Sequence, residues 1–242
     1  MCWYVVLSND RHPSFPAQTK LDEKERYTLD LLLIAVAVVA FIGVAIAISQ
    51  YFHNKRRDAF KQETALRGFA YIDDDTDNFL PHFHLTDIGR SRRVQHHIEG
   101  NFDGKDFLFC DYQYTTGSGK SRRVSNQSVL VYDHDLSIPN FTLDPENMFH
   151  KIGSAFGYQD IDFASHPKFS GAYLLRGPDE FAIREFFSYD VLDFFERNQG
   201  LYVEVTDTHI LFYQSGTRIS PPDLADFLTR GSEVYRLLEN RG

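Results

Sequence analysis

Eighteen consecutive residues from Leu31 to Ile48 carry neither a charge nor a strongly polar side chain. As a helix rising ~1.5 Å per residue they extend roughly 27 Å, close to the hydrocarbon thickness of a bilayer. Tyr27 precedes the run and Tyr51 and Phe52 follow it, where interfacial aromatics are favoured. The pattern predicts four parts: an N-terminal tail over 1–30, a transmembrane helix over 31–50, a juxtamembrane helix over 51–72, and a soluble domain over 73–242. Ala45-Ile46-Ala47 resembles a signal-peptidase site, but it lies inside the apolar run and the preceding residues are slightly acidic, so an uncleaved anchor is the reading adopted.

Beyond the membrane segment the period changes. Ala59, Phe60, Glu63, Leu66 and Phe69 keep helical spacing as far as Gly68. Short aromatic and β-branched runs follow at Phe79–Leu85, Arg93–Glu99, Asp106–Tyr114, Arg123–Tyr132 and Asn140–Leu143, separated by turn residues such as Asp103-Gly104 and Thr116-Gly117-Ser118-Gly119. They predict an antiparallel meander. Helical spacing returns at Glu146–Ile152, Asp179–Phe187 and Asp190–Asn198, then a hairpin over Leu201–Gln214 turning at Thr206-Asp207-Thr208. A last helix is expected over Pro222–Asn240, with Ser220 as its cap and Leu224, Phe227, Leu228, Val234, Leu237 and Leu238 on its inward stripe. Strands grouped first and helices later give an α+β class: one N-terminal transmembrane helix, then a mainly antiparallel sheet covered by helices on one face.

Composition narrows the functions available. The chain has 242 residues with 22 Phe and 13 Tyr, which is a folding composition and not that of a disordered tether. Its net charge is -9, which sets the domain against phosphate backbones, so neither nucleic acid nor nucleotide is expected as a partner. With two cysteines, Cys2 and Cys110, no disulfide framework or Cys-rich metal site is available. Lys55, Arg56, Arg57 and Lys61 make the C-terminal flank of the apolar run the more basic one, whereas Lys20, Lys24 and Arg26 are interleaved with carboxylates. That bias favours an N-terminus outside and a cytoplasmic domain.

Candidate chemistry is sparse. Gly117-Ser118-Gly119-Lys120-Ser121 resembles the end of a phosphate-binding loop, yet the required first Gly is Tyr114, and a strand is expected to follow where that motif needs a helix. A hairpin turn explains the glycines. The acidic stretch Asp73–Asp77 lacks the Gly and distal Glu of a calcium loop and reads as a solvated loop. His82 and His84, two apart on an expected strand, are candidate metal ligands, while His96 and His97 are expected at the surface. Asp160, Asp162 and His166 form the densest polar cluster and are the candidate catalytic residues. The alternative role for all three is structural, since His166 before Pro167 must be extended and Phe163 and Phe169 supply burial. No cofactor is implied.

Three segments taken in order carry a resemblance: Phe109-Cys110-Asp111-Tyr112-Gln113-Tyr114-Thr115-Thr116-Gly117-Ser118-Gly119-Lys120, then Phe141-Thr142-Leu143-Asp144-Pro145-Glu146, then Asp160-Ile161-Asp162-Phe163 through His166-Pro167-Lys168-Phe169. They resemble a family of uncharacterised bacterial single-pass membrane proteins with an aromatic strand, a Gly-Ser-Gly-Lys turn and an Asp-Ile-Asp-Phe segment. The resemblance spans most of residues 80 to 240 and implies no activity. The sequence therefore leads to a membrane-anchored cytoplasmic interaction or scaffold module whose partners are the lipid bilayer and a protein. The alternative is a membrane-bound metal-assisted hydrolase using Asp160, Asp162 and a histidine.

Overall fold

The computed structural model describes residues 23–72, 80–146, 159–214 and 216–241. Helix α1 runs unbroken over Glu23–Arg67, and the chain divides into two compact units within it, the first ending at His53 and the second beginning at Asn54. In the first unit every described side chain from Glu25 to Phe52 is exposed, the apolar run included. Among the described residues this is one helix long and apolar enough to cross a membrane. Its surface is apolar on all sides, as lipid requires and a half-buried soluble helix does not.

The second unit begins with the end of α1. Phe60 is fully buried and Thr64 nearly so, which makes this stem part of the domain. Gly68 stops it, taking φ +74° so that the Phe69 N–H closes on the Thr64 carbonyl at 3.0 Å. Residues 51–72, expected as one helix, thus divide: the helix ends at Arg67, and Ala70–Ile72 form an edge strand, β1.

Seven more strands complete one sheet: β2 (Arg90–Phe102), β3 (Lys105–Thr116), β4 (Arg123–Asp133), β5 (Phe141–Pro145), β6 (Tyr173–Arg176), β7 (Leu201–Val205) and β8 (His209–Gln214). Every pairing is antiparallel and the order is β1-β2-β3-β4-β8-β7-β5-β6, so the late hairpin β7–β8 inserts between β4 and β5. The Asp103-Gly104 turn joins β2 to β3 with both residues at positive φ, the conformation of a twist-matched two-residue hairpin. Among the described residues five helices follow α1: α2 (His84–Asp87), α3 (Pro167–Ser170), α4 (Glu180–Phe186), α5 (Tyr189–Arg197) and α6 (Leu224–Glu239). The α+β class holds. β6 and the short α3 carried no pattern long enough to read, and the strand expected over Phe79–Leu85 is absent from its described residues, which run irregularly into α2. The acidic stretch Asp73–Asp77 and the helix expected over Glu146–Ile152, beyond Glu146, lie outside the described residues.

Strand alternation separates two faces. On one, Phe109, Leu130, Phe141, Leu143, Val203 and Phe212 pack against Phe60 of α1, Ile183 of α4, Phe195 of α5 and Leu228 of α6. Each such side chain contributes roughly 1.5–3 kcal/mol on burial. Helix α6 lies close on β4 at Gly231, where a Cβ would stand 2.3 Å from Leu130 Cδ2. On the other face Cys110, Tyr112, Tyr114, Val129, Tyr202 and Tyr213 are covered by Phe83, Leu85 and Ile88, a strap with α2 at its centre. The helices α3 to α6 sit on one face, as expected, and a short strap closes the other.

Two histidine expectations need correction. His96 and His97 are buried, not surface residues. A bulge between Gln95 and Ile98, with His96 at φ 55°, turns them inward: His96 Nδ1 lies 2.9 Å from Tyr71 Oη, and His97 Nε2 lies 3.0 Å from Glu99 Oε1. His82 and His84 do not share a strand, because the chain turns helical at His84.

Candidate functional site

The residues singled out from the sequence fall in different surroundings. Asp160 Oδ1 accepts the Leu175 N–H at 2.9 Å, pinning the incoming loop to β6, and burial raises its pKa. Asp162 is exposed, and its backbone carbonyl accepts Arg184 Nη1 at 2.7 Å. His166 is buried against the Tyr189 ring at 4.6 Å, pairs its Nδ1 with Ser165 Oγ at 2.9 Å, and accepts the Ser170 N–H through its carbonyl to start α3. All three therefore hold the loop that carries Phe163 and Phe169 into the core. His82 is exposed and lies 3.5 Å from Asp87. His84 is half-buried, with its pKa lowered to about 4, chiefly by burial. Among the described residues no group of three or more His, Cys, Asp or Glu side chains is placed to hold a metal ion.

The glycine-rich turn is a hairpin loop between β3 and β4. Gly117 takes φ 67°, and a single 3-10 turn over Gly119–Ser121 is locked by Ser121 Oγ donating to the Ser118 carbonyl at 2.8 Å. β4 follows at once, so the strand-to-helix setting of a phosphate loop is missing.

What the tertiary structure does assemble is a polar floor on the strap-covered face. Thr142 of β5 sits opposite both Glu204 of β7 and Arg176 of β6, while Tyr202 sits opposite Tyr213. Alternation brings Asp144, two residues from Thr142, onto the same face. Asp144, Arg176 and Glu204 are all buried. The Tyr202 and Tyr213 rings stack at 4.4 Å, and Tyr202 Oη donates to Glu204 Oε2 at 2.8 Å. The other Glu204 oxygen accepts the His84 N–H at 2.7 Å, so this acid fastens the strap to the sheet.

Electrostatics here are set by desolvation. Burial raises the Asp144 pKa to about 7; Arg176 pulls it down and Glu204 pushes it up. Burial likewise raises Glu204, against the hydrogen bonds from His84, Tyr202 and Leu85. Asp144 Oδ1, Tyr112 Oη, Tyr213 Oη and Gln127 Nε2 are buried without a hydrogen-bond partner among the described residues. Beside this floor a cleft of 180 Å³ is lined by Thr142, Arg176, Glu204 and Thr206. That falls below the roughly 300–1,000 Å³ of an ordinary small-molecule site. A larger cleft of 570 Å³ lies around Glu99, Asn101 and Asp106, at the β2–β3 turn. The floor can hold a proton near neutral pH and fasten a strap.

These residues were overlooked because each stands among apolar residues in a strand of four or five positions. The available signal was the alternation itself: Tyr202 and Glu204, and Thr142 and Asp144, occupy the phase opposite to the strongly apolar positions of their strands, whereas Arg176 shares its phase with Leu174 and gave no such signal.

No family model matches the chain, and no curated protein matches it. Among solved structures, the fold matches the crystal structure of the mycobacterial trehalose monomycolate transport factor A, TtfA, with a TM-score of 0.54 and 10% sequence identity, covering 77% of this chain and 94% of that one. At that identity the likeness is one of fold.

Proposed function

We propose that this protein is a membrane-anchored interaction module, in which the domain over 54–242 presents a surface to a protein partner in or at the membrane. The observation that carries the reading is the stem. The helix that continues the apolar segment is built into the domain, with Phe60 in its core and Arg56 paired to the buried Asp111 at 2.8 Å. A domain with its own tether as a structural part gains a defined attachment, which suits a scaffold; freely diffusing catalysis has no need of it. Separation of Asp160, Asp162 and His166 into loop-holding roles, and a small cleft beside the polar floor, also favour this reading over the hydrolase. The motif order given above supports kinship with bacterial single-pass membrane proteins, and the same architecture serves a transport factor in TtfA.

The domain is assigned to the cytoplasmic side on the basic flank. Lys55, Arg56, Arg57 and Lys61 carry that assignment.

The test is replacement of residues 31–48 by an unrelated apolar span of equal length, alongside Asp144→Asn and Asp160→Asn, in a strain lacking the protein. A module keeps its cellular role in all three and loses it when the span is deleted. Loss of that role in a folded, membrane-inserted Asp144→Asn or Asp160→Asn protein would reverse the assignment in favour of an enzyme.

A further inference from the structure

One end of the sheet departs from the charge of the rest of the molecule. Residues 88–98 and 112–132 contain six of the 25 Lys and Arg residues and none of the 34 Asp and Glu. The six are Arg90, Arg92 and Arg93 at the start of β2, and Lys120, Arg122 and Arg123 at the β3–β4 turn; all are exposed. Antiparallel pairing gathers them, since Arg90 sits opposite Thr115 and Arg123 opposite Thr116. Arg90 and Arg92 spend their hydrogen bonds on backbone carbonyls, of Gly117 and of Asp87 and Gly89, which fixes the side chains without neutralising them. Among the described residues no ion pair joins any of the six to a carboxylate. Val124, next to Arg123, is exposed and apolar.

A second, independent observation says which end this is. Along the stem, Arg56 meets Asp111, Phe60 meets Phe109, and Phe69 meets Phe107. The stem therefore runs antiparallel to β3, and its Asn54 end points towards Thr116 and the basic turn. Asn54 lies six positions after Ile48, the last of the apolar run, roughly 9 Å of helix at ~1.5 Å per residue. Asn54, through which the chain joins the apolar run, therefore lies at the same end of the domain as the six cations.

We propose that the six cations form a docking surface for anionic lipid headgroups, so that the domain is held to the membrane at a second point besides its anchor. The proposal rests on the membrane anchoring of the function given above. Phosphate-bearing headgroups match Arg side chains already oriented by backbone acceptors, and Val124 is placed to reach the interface beside them. An overall charge of -9 disfavours long-range capture of nucleic acid, whereas a tethered patch needs no capture step.

The experiment uses the full chain in nanodiscs of phosphatidylcholine alone and of phosphatidylcholine with phosphatidylglycerol, read by amide hydrogen exchange over residues 112–125. Docking predicts roughly tenfold slower exchange there in the anionic discs, lost in 1 M salt where the screening length falls to ~3 Å. The triple substitution Lys120→Glu, Arg122→Glu and Arg123→Glu abolishes the difference, and Lys120→Arg, Arg122→Lys and Arg123→Lys preserves it. Equal exchange in both discs overturns the docking surface while leaving the anchor intact. Failure of the chain to enter either disc overturns the anchor instead. Equivalent slowing in neutral discs by inorganic phosphate or duplex DNA also overturns the proposal, because the cations would then serve a soluble anion.

Discussion

Arg56 and Asp111 are joined by a two-point ion pair, with Nε at 2.8 Å from Oδ2 and Nη2 at 3.1 Å from Oδ1, between the stem helix and the centre of the sheet. Asp111 is almost wholly buried and also accepts Arg218 Nη2 at 2.6 Å and Ser128 Oγ at 2.6 Å. One carboxylate thus ties α1, β3, β4 and the segment after β8. Arg56 stacks in addition over Phe60, 4.8 Å from the ring centre.

Removing that carboxylate strands two guanidinium groups. Asp111→Ala is expected to cost roughly 3–5 kcal/mol, the range for breaking one partner of a buried pair. Urea unfolding of the full chain in detergent gives the number. A loss under about 1 kcal/mol would mean that the stem is held by Phe60 and its neighbours alone.

Replacements in the loop before α3 should sort by burial and not by charge. Asp162→Asn, at an exposed site, is expected to change stability by no more than about 0.5 kcal/mol, whereas Phe169→Ala, in the core, costs roughly 3–5 kcal/mol. Thermal melting of both variants checks the order. The reverse order would overturn the rule that burial decides the cost at these positions.

Asp144 makes stability fall with pH. Its folded pKa, about 7, lies above the unfolded value of 3.8, so the folded state binds the extra proton. Its contribution is fully present below 3.8 and is lost as pH rises through 7. His84, lowered to about 4, acts in the opposite sense between pH 4 and 6.5 and partly masks this in the wild type. The difference between Asp144→Asn and wild type isolates the carboxyl. It should grow in favour of the variant from pH 4 to 8, approaching about 4 kcal/mol at ~1.4 kcal/mol per pKa unit. A difference that stays flat with pH would place the Asp144 titration outside this window.

At Gly231 the close approach of α6 to β4 leaves no room for a side chain. Gly231→Ala gains helix propensity of about 1 kcal/mol, yet it drives a methyl into Leu130 and Tyr132 and is expected to lose roughly 1–3 kcal/mol net. Gly43, where an added Cβ meets nothing within 4 Å, is the matched control, and Gly43→Ala should leave the domain's melting unchanged.

Local pattern went far with this chain. The long strands β2, β3 and β4, the β7–β8 hairpin and helices α4 to α6 each carry enough periodic residues to show their type, because a strand's alternation and a helix's stripe are imposed by the faces they bury. Four-residue elements such as β6 and α3 carry too few positions to display a period. His96 and His97 misled because a bulge shifts the phase of β2 between Gln95 and Ile98, and alternation holds only where the ladder is regular.

The sequence by itself determined the anchor, the α+β class and the absence of a cysteine framework, since each depends on composition or on neighbours in the chain. The tertiary structure alone decided which charges matter. Arg56 looks like one of four equal basic residues after the membrane segment, and only packing against Asp111 distinguishes it. Asp144, Arg176 and Glu204 are far apart in sequence and come together through strand pairing, while Asp160, Asp162 and His166 are neighbours in the chain that do separate work. Desolvation and ion pairing act through space over a few ångströms, and sequence distance measures neither.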